Sequence, residues 1–338
     1  MQPIGDNWAV PLAGAQRNLV GAHLLLLTRL LRRSAKADFA PLQPHSQMER
    51  RIVLALHRIE QARVSELATL LGNDLAQVSR ALSGLAKHDL VARDYQRDPY
   101  RLTPAGAALS LVMDEVAMRR DAELCAGFAL PEMFELAGMV FVMQLRAGEN
   151  LAAEMSGVPA SGRVPEPVLG GATPPPPVES AVRAHSAIIN LTTTIARTAT
   201  LVYKRLTGLS SYEWRVLTNV AVRPGIGFLA LVSHIGSDKA QVSRALGSLV
   251  AGGFLARTKA GRGEPVCFAL TDIGEATHDI LLEDAMRRNA LVLRDLKPGQ
   301  RDRLQAYLER LIANAARMAD RADGGDAPPS AFEPAATA

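Results

Sequence analysis

The sequence predicts a mainly α-helical protein with small β wings, in which one folding unit occurs twice along the chain. The first observation is an identical seven-residue string, Ala-Gln-Val-Ser-Arg-Ala-Leu, which runs from Ala76 to Leu82 and again from Ala240 to Leu246. A repeat of this length, at a spacing of 164, is not expected by chance and indicates that half of the chain was duplicated. The second observation is that the same order of helical and strand-like patterns surrounds both strings.

The similarity on either side of the string sets the domain boundaries. The Leu-Thr pair at 102–103 matches the pair at 270–271 with a spacing of 168, so the second copy holds four extra residues before this point. Loops tolerate insertions of this kind. The prolines at 174–177 cannot lie inside a helix, which indicates a linker. We therefore predict a first unit at 13–155, a Pro/Gly-rich linker at 156–178, a second unit at 179–322 and a disordered tail at 323–338.

Each copy shows the same series of elements. An apolar-rich long helix comes first, followed by a second helix, a short third helix and a fourth helix that carries the repeated string. Two short strands around a polar turn come next, and two long helices close the copy. The predicted helices are at 13–33, 46–58, 67–71, 75–88, 104–125 and 131–155, then 178–206, 210–222, 231–235, 239–251, 272–293 and 298–319. The predicted strands are at 90–95, 100–102, 254–258 and 266–270.

The third and fourth helices predict a helix-turn-helix in each copy. Gly72 and Gly236 follow the third helix, where a left-handed residue favours the end of a helix. Asp74 and Asp238 precede the fourth helix, where a carboxylate can accept hydrogen bonds from free backbone N–H groups. A helix, a short turn and a second helix form the pattern whose second helix enters the major groove of DNA.

The fourth helix has one apolar and one polar face in each copy. Val78, Leu82 and Leu85 share the apolar face, which predicts their burial. On the other face, Gln and Arg can read base edges through paired hydrogen bonds, and Ser can contact a phosphate or a base. The helix residues predicted to bind DNA are Gln77, Ser79, Arg80, Lys239, Gln241, Ser243 and Arg244.

The strand pair after each fourth helix predicts a wing. Arg97 and Arg262 lie in its turn, and arginine on a turn suits contact with phosphates or insertion into the minor groove. We therefore predict that both residues bind DNA. Basic turn residues that serve solubility alone are the alternative.

These motifs resemble those of MarR-family winged helix-turn-helix regulators. The run Asp238-Lys-Ala-Gln-Val-Ser-Arg244 resembles the recognition helix, and Leu270-Thr-Asp-Ile-Gly274 resembles the segment after the wing. The first copy has Asp74-Leu-Ala-Gln-Val-Ser-Arg80 and Leu102-Thr-Pro-Ala-Gly106. The chain thus looks like a tandem fusion of two MarR-like units, each a winged helix-turn-helix flanked by long dimerisation-type helices. Both wings lack the family's usual Asp-x-Arg tip.

The resemblance implies a sequence-specific regulator of transcription that binds a pseudo-palindromic double-stranded DNA operator. A repressor released by a small effector ligand, of the aromatic or phenolic kind common in the family, is the form we predict. Because family members are normally homodimers, we expect the two copies to form a pseudo-dimer within one chain, with a homodimer of chains as the main alternative. The alternative function is a protein-interaction or non-specific DNA-binding module that kept the fold but lost operator reading.

The resemblance also points to a cleft between the first helices and the reading head, where the family binds ligands. Its candidate ligand-binding residues here are His23, Arg51, His185, Trp214 and Arg215. For each of these residues a purely structural role is the alternative. The double arginines at 119–120 and 287–288 are predicted to lie on exposed helix faces.

Composition excludes several other classes of protein. The 338 residues carry a net charge of +4, which fits a nucleic-acid partner, whereas 4% aromatic residues argue against a base-stacking platform. Cys125 and Cys267 are too few for a disulfide framework or a four-thiolate zinc site, so we expect unpaired thiols in the cytoplasm. No segment resembles a signal peptide or a membrane span. We find no catalytic constellation, metal site or cofactor motif, and predict no enzyme activity.

Overall fold

The structure, a computed structural model, describes residues 17–42, 45–95, 97–157, 184–235, 238–258 and 266–322. Most of the predicted linker, the predicted tail, Gly236 and Arg262 lie outside these residues. Within them the chain forms long helices and two small antiparallel sheets, which confirms the predicted fold class of a mainly α protein with small β wings. No described helix combines the length and apolar character needed to cross a bilayer.

The elements follow one another in the same order in both halves of the chain. The first half contains α1 (Val20–Asp38), a 3-10 turn (Ala40–Leu42), α2 (Gln47–Ile59), β1 (Gln61–Ala62), α3 (Val64–Leu71), α4 (Leu75–Lys87), β2 (Val91–Ala92), β3 (Tyr100–Leu102), α5 (Pro104–Leu124) and α6 (Leu130–Ser156). The second half contains α7 (Ala184–Thr207), α8 (Ser211–Val222), β4 (Ile226–Gly227), α9 (Phe228–Ile235), α10 (Lys239–Ala251), β5 (Leu255–Thr258), β6 (Cys267–Leu270), α11 (Asp272–Val292) and α12 (Pro298–Ala322).

Each sheet has one strand more than the sequence predicted. The strand orders are β1-β3-β2 and β4-β6-β5, with every neighbouring pair antiparallel. The additional strands β1 and β4 have two residues each, which is too short for an alternating pattern to be recognised in the sequence. They join the segment before the third helix of each half to the wing.

The Leu-Thr-x-x-Gly segment after each wing fixes the wing to the following helix. The Thr103 hydroxyl accepts a hydrogen bond from the Gly106 backbone N–H at 3.0 Å and so caps the start of α5. A Cβ atom on Gly106 would lie 1.9 Å from the carbonyl oxygen of Leu90, so only glycine fits this close approach. Thr271 caps α11 in the same way, and a Cβ atom on Gly274 would lie 2.0 Å from a backbone carbonyl oxygen.

Contacts divide the described residues into two compact units, and each unit takes residues from both halves of the sequence. Unit I comprises residues 24–42, 45–95, 97–141, 184–193 and 298–322. Unit II comprises residues 17–23, 142–157, 194–235, 238–258 and 266–297. Unit I therefore holds α2 to α5 together with α12, and unit II holds α8 to α11 together with the second part of α6.

The cores of the two units use corresponding positions. In unit I the side chains of Val53, Leu67 and Leu85 are fully buried in one cluster. In unit II the cluster contains Leu217 and the leucines at 231 and 249, which are the equivalents of these residues in the repeat and are also fully buried. Corresponding helices and strands thus enclose the two cores.

Within each unit, a residue of one half caps the first helix of the other half. In unit I a carboxylate oxygen of Asp121, on α5, accepts a hydrogen bond from the His185 backbone N–H at the start of α7, at 2.7 Å. In unit II the side-chain oxygen of Asn289, on α11, accepts one from the Val20 backbone N–H at the start of α1, at 2.9 Å. Asp121 and Asn289 occupy equivalent positions when α5 is aligned with α11. The two contacts therefore correspond to each other, with the donors Val20 and His185 displaced by one position in the repeat.

Candidate nucleic-acid interface and pocket

The fourth helix of the first half, α4, is held by its cap and its apolar face. Gly72 has a φ of 67° at the end of α3, and a carboxylate oxygen of Asp74 accepts a hydrogen bond from the Gln77 backbone N–H at 2.8 Å. Val78 and Leu82 are fully buried. The predicted DNA-binding residues of this helix, Gln77, Ser79 and Arg80, are all exposed.

The matching helix α10 has the same arrangement. Asp238 accepts a hydrogen bond from the Ala240 backbone N–H at 3.2 Å, and Val242 is fully buried. The predicted DNA-binding residues Lys239, Gln241, Ser243 and Arg244 are exposed. The first helical position differs between the helices, because α4 begins with Leu75, which is 56% exposed, where α10 begins with Lys239.

The arginines of the first wing have three different surroundings. Arg101 forms a two-pronged ion pair with Asp94, with both N–O distances at 2.6 Å. The guanidinium of Arg93 lies 4.7 Å from the centre of the Tyr100 ring. Arg97 is exposed in the turn between β2 and β3, as its predicted role requires. The predicted counterpart, at position 262, is outside the described residues.

A small cavity that is partly open to solvent lies within unit I. It brings together two predicted ligand-binding residues from different halves of the chain, Arg51 on α2 and His185 on α7. The rest of its wall combines apolar and charged side chains. The other lining residues are Ala35, Phe39, Gln47, Arg50, Leu54, Ala117, Arg120, Asp121, Ser186 and Ile189.

Three guanidinium groups and one carboxylate, that of Asp121, contribute to the wall of this cavity. Arg120 is 1% exposed, is paired with Asp38 and donates a hydrogen bond to the Leu31 carbonyl at 2.8 Å. Its Nε atom is buried without a hydrogen-bond partner among the described residues. Arg50 packs over the ring of Phe39 at 4.8 Å. The cavity therefore carries a surplus of positive charge beside apolar surface.

The charge of the cavity also acts on its histidine. Burial, together with the positive charges of Arg120 and Arg51, lowers the pKa of His185 to about 3, so its imidazole is neutral at neutral pH. Burial and the charge of Arg32 lower the pKa of Arg51 to about 10, so its guanidinium stays charged. Burial is the larger cause of both shifts, and the neighbouring guanidinium groups add to it by disfavouring a further positive charge at this place.

Arg51 connects this cavity to α4. Its guanidinium donates hydrogen bonds to the side-chain oxygen of Asn73 at 2.9 Å, the Leu71 carbonyl at 2.6 Å and the side-chain oxygen of Asn190 at 2.7 Å. The side-chain N–H of Asn73 in turn donates to the side-chain oxygen of Gln77 at 2.9 Å.

The remaining predicted ligand-binding residues are in unit II. His23 is buried, and its ring nitrogen lies 3.1 Å from the Leu19 carbonyl oxygen. The ring of Trp214 packs between Tyr203, at 5.5 Å, and His278, at 5.3 Å. Arg215 is exposed, with its guanidinium 5.8 Å from the ring centre of a tyrosine one helical turn away.

In unit II, large side chains pack together at the positions that correspond to the cavity wall of unit I. Tyr203 and Trp214 are the equivalents of Phe39 and Arg50 in the repeat, and they pack on each other. Arg288, which corresponds to Arg120, lies over the Tyr203 ring at 5.4 Å. Aromatic side chains therefore occupy the region that in unit I is lined by a phenylalanine and a guanidinium.

The predicted exposure is wrong for one residue of each double arginine. Arg120 is fully buried and Arg288 is 8% exposed, although both were predicted on exposed helix faces. Each has a carboxylate partner, Asp38 for Arg120 and Asp284 for Arg288, which stabilises a buried cation. The repetition of the double arginine in both halves was the available signal that these positions have a structural role.

Several solved structures are similar to part of the chain. A MarR/EmrR family transcriptional regulator from Acinetobacter sp. ADP1 has 19% sequence identity and a TM-score of 0.36, over 40% of this chain and 95% of that one. A MarR protein from Peptoclostridium difficile has 19% identity and a TM-score of 0.33, over 36% and 80%. The transcriptional regulator SlyA has 22% identity and a TM-score of 0.33, over 36% and 87%.

At these TM-scores and identities, the likenesses support no conclusion about the family or the function of this chain. No family model matches the sequence, and no curated protein matches it. Among the described residues, no group of three or more His, Cys, Asp or Glu side chains could hold a metal ion.

Proposed function

We propose that the protein is a sequence-specific double-stranded DNA-binding regulator of transcription. The observation that carries this proposal is that α4 and α10 bury the same apolar positions and expose the same Gln, Ser and Arg. These three side chains are suited to contacts with base edges and phosphates. Their presentation twice in one chain supports reading of two similar half-sites.

We propose further that the chain arose by tandem duplication and forms an intramolecular pseudo-dimer. The two corresponding helix caps support this arrangement, because in a self-complementary interface each contact has a symmetric mate. In unit I the hydroxyl of Thr28 donates to the hydroxyl of Thr192 at 3.0 Å, and these two threonines occupy equivalent positions of the repeat. A residue contacts its own equivalent only near a two-fold axis. A light-scattering mass of 36.2 kDa is expected, whereas twice that mass would support a homodimer with four reading heads.

The proposed operator is pseudo-palindromic, with half-sites centred about 10 bp apart or a multiple of that distance. Leu75 and Lys239 occupy the same position of the two reading helices but differ in chemistry, so we expect the two half-sites to differ at the bases that they contact. An exposed leucine can contact the methyl group of thymine, whereas a lysine can bind a phosphate or guanine. We expect similar base preferences at the positions read by Gln, Ser and Arg, and different preferences beside them.

DNA binding is tested by fluorescence anisotropy with a duplex taken from the promoter of the gene that encodes this protein. Arg80→Ala and Arg244→Ala should each weaken specific binding by about 5- to 150-fold, the equivalent of about 1–3 kcal/mol. Lys87→Ala is the matched control, because it removes one positive charge from the exposed far end of α4. An effect of Lys87→Ala equal to that of Arg80→Ala would point to non-specific attraction.

A random duplex of the same length separates the proposed function from its alternative. If the random duplex competes as well as the promoter duplex, the chain is a non-specific or vestigial DNA-binding module. A sequence-specific regulator should instead discriminate by a factor of about 10³ or more at physiological salt. Whether binding represses or activates follows from a reporter gene placed behind the same promoter, and we expect repression.

The proposed effector is a small aromatic carboxylate bound in the cavity of unit I. Three guanidinium groups, one of them with a buried unpartnered Nε, suit the carboxylate, while Phe39, Leu54 and Ile189 suit an apolar ring. Isothermal titration with benzoate is the test, and benzamide is the neutral control of nearly the same shape. We expect benzoate alone to bind, with one site per chain. Equal heats from the two compounds would exclude recognition of charge.

A further inference from the structure

A continuous line of hydrogen bonds runs from the wall of the cavity to the exposed face of α4. It starts at Arg51, passes through the side-chain amide of Asn73 and ends at the side-chain amide of Gln77. Arg51 is further held by the Leu71 carbonyl and by Asn190. All five residues belong to unit I. The line therefore joins the cavity to Gln77, which is proposed to contact DNA.

The direction of every hydrogen bond in this line is fixed by the arginine. A guanidinium carries only donors, so the Asn73 group that faces Arg51 must be the carbonyl oxygen. The amide nitrogen of Asn73 must then face Gln77, and Gln77 must accept with its own carbonyl oxygen. The oxygen of the exposed Gln77 side chain is thereby turned towards Asn73, and the amide N–H groups remain to be offered to DNA.

We propose that Arg51 and Asn73 are positioning residues that make Gln77 a hydrogen-bond donor to DNA. The proposal rests on the proposed function. A glutamine whose oxygen is turned towards Asn73 and that offers its N–H groups favours guanine, which presents two adjacent acceptors, N7 and O6, in the major groove. A freely rotating glutamine could also pair with adenine, accepting from N6 and donating to N7, and would therefore discriminate less between guanine and adenine.

The second half of the chain offers a matched comparison. The residue that corresponds to Asn190 is Leu26, whose side chain cannot hydrogen-bond, and the residue that corresponds to Arg51 is Arg215. Arg215 is exposed beside Tyr212, whereas Arg51 is held by the amides and the carbonyl described above. Arg51 and Arg215 thus have the same chemistry in different surroundings.

The test measures base preference with the full chain and a promoter duplex in which each base pair is substituted in turn. Gln77→Ala first identifies the base pair read by Gln77, as the position where preference is lost. Asn73→Ala and Arg51→Lys should flatten preference at the same base pair by about 2- to 10-fold and leave other positions unchanged. Arg215→Lys should leave this position unchanged.

Combination with Gln77→Ala gives the decisive result. In that background, Asn73→Ala should cause no further loss of preference, because the group that it positions is already absent. Unchanged preference in Asn73→Ala would overturn the proposal. Equal flattening at every base pair would also overturn it, since a loosened fold affects all positions alike. Thermal unfolding of each variant shows whether it folds. If Arg51→Lys does not fold, Asn73→Ala still tests the proposal.

A second readout is independent of DNA and separates this proposal from the proposed function. In the NMR spectrum of the chain, Arg51→Lys should shift the side-chain amide signals of Asn73 and Gln77, whereas Arg215→Lys should not. If no duplex is bound specifically but these shifts occur, the proposed function fails and the hydrogen-bonded line stands. If the shifts are absent, the line itself is refuted.

Discussion

Gly106→Ala is expected to damage the junction between the first wing and α5. The added Cβ atom would lie 1.9 Å from the Leu90 carbonyl oxygen and 2.9 Å from its carbonyl carbon. Because ordinary carbon–oxygen contacts are about 3.3–3.6 Å, this carbonyl must move by about 1.5 Å. The same carbonyl oxygen accepts a hydrogen bond from the Thr103 backbone N–H at 3.1 Å, and that bond would be strained or broken by the movement.

The magnitude follows from these two effects. Overpacking of a tightly filled site costs about 1–3 kcal/mol, and loss of one hydrogen bond costs about 0.5–1.5 kcal/mol. We therefore expect Gly106→Ala to lower the free energy of unfolding by about 1.5–4.5 kcal/mol, less the about 0.5–1 kcal/mol that alanine gains over glycine in a helix. This is a large part of the stability of a typical domain, which is about 5–15 kcal/mol.

The assay is urea unfolding of the full chain, followed by circular dichroism. Gly274→Ala should cost a similar amount, because its Cβ atom would lie 2.0 Å from the Phe254 carbonyl oxygen. Gly138→Ala is the control: this glycine is exposed within α6 and its Cβ atom would meet nothing within 4 Å. It should raise stability by about 0.5–1 kcal/mol. If Gly106→Ala behaves like Gly138→Ala, the close approach at the wing is wrong.

Three further predictions concern charge and thiol chemistry. Burial and two neighbouring guanidinium groups hold the pKa of His185 at about 3. Between about pH 6.5 and 3 the unfolded chain therefore binds a proton at this residue that the folded chain does not. The free energy of unfolding should fall by at most about 4–5 kcal/mol as the pH drops through this range. His185→Gln should remove this part of the dependence in thermal unfolding at a series of pH values. Burial raises the pKa of Cys125 to about 12, so iodoacetamide should label the partly exposed Cys267 first, as mass spectrometry of the native protein will report. Glu135→Gln should lower the free energy of unfolding by about 0.5–1 kcal/mol at low salt through loss of its pair with Arg303, and a difference that persists unchanged in about 1 M salt would argue against an ionic origin.

The helices and their caps could be predicted because their signals are local. Apolar residues three and four positions apart define the buried face of α4, and an aspartate before it supplies the cap, so a window of about four turns contains the information. The junction between wing and helix was signalled only by a glycine. Its reason, the approach of the Leu90 carbonyl to Gly106, depends on a residue outside any local window.

The cavity could not be predicted in full because its wall is assembled from distant segments. Arg120 reads as an ordinary surface cation in the sequence, since its partner Asp38 is far away along the chain. Phe39 follows a helix end where no periodic pattern marks it for a site. Arg51 and His185 were reached through the resemblance, and His185 belongs to the other half of the chain from most of the wall. Burial and partnership depend on tertiary structure, and a charge in the sequence indicates neither.

The pair of Glu135 and Arg303 carries a consequence for how such a chain can change over time. These residues occupy equivalent positions when α6 is aligned with α12, so on the proposed duplication each stands opposite its own former equivalent. Two separate identical subunits would place Glu against Glu or Arg against Arg at this position, and either pairing repels. Once both copies are translated as one polypeptide, each side of the position mutates on its own, and opposite charges become accessible there. A covalent join thereby opens sequence combinations that self-association of identical subunits disfavours.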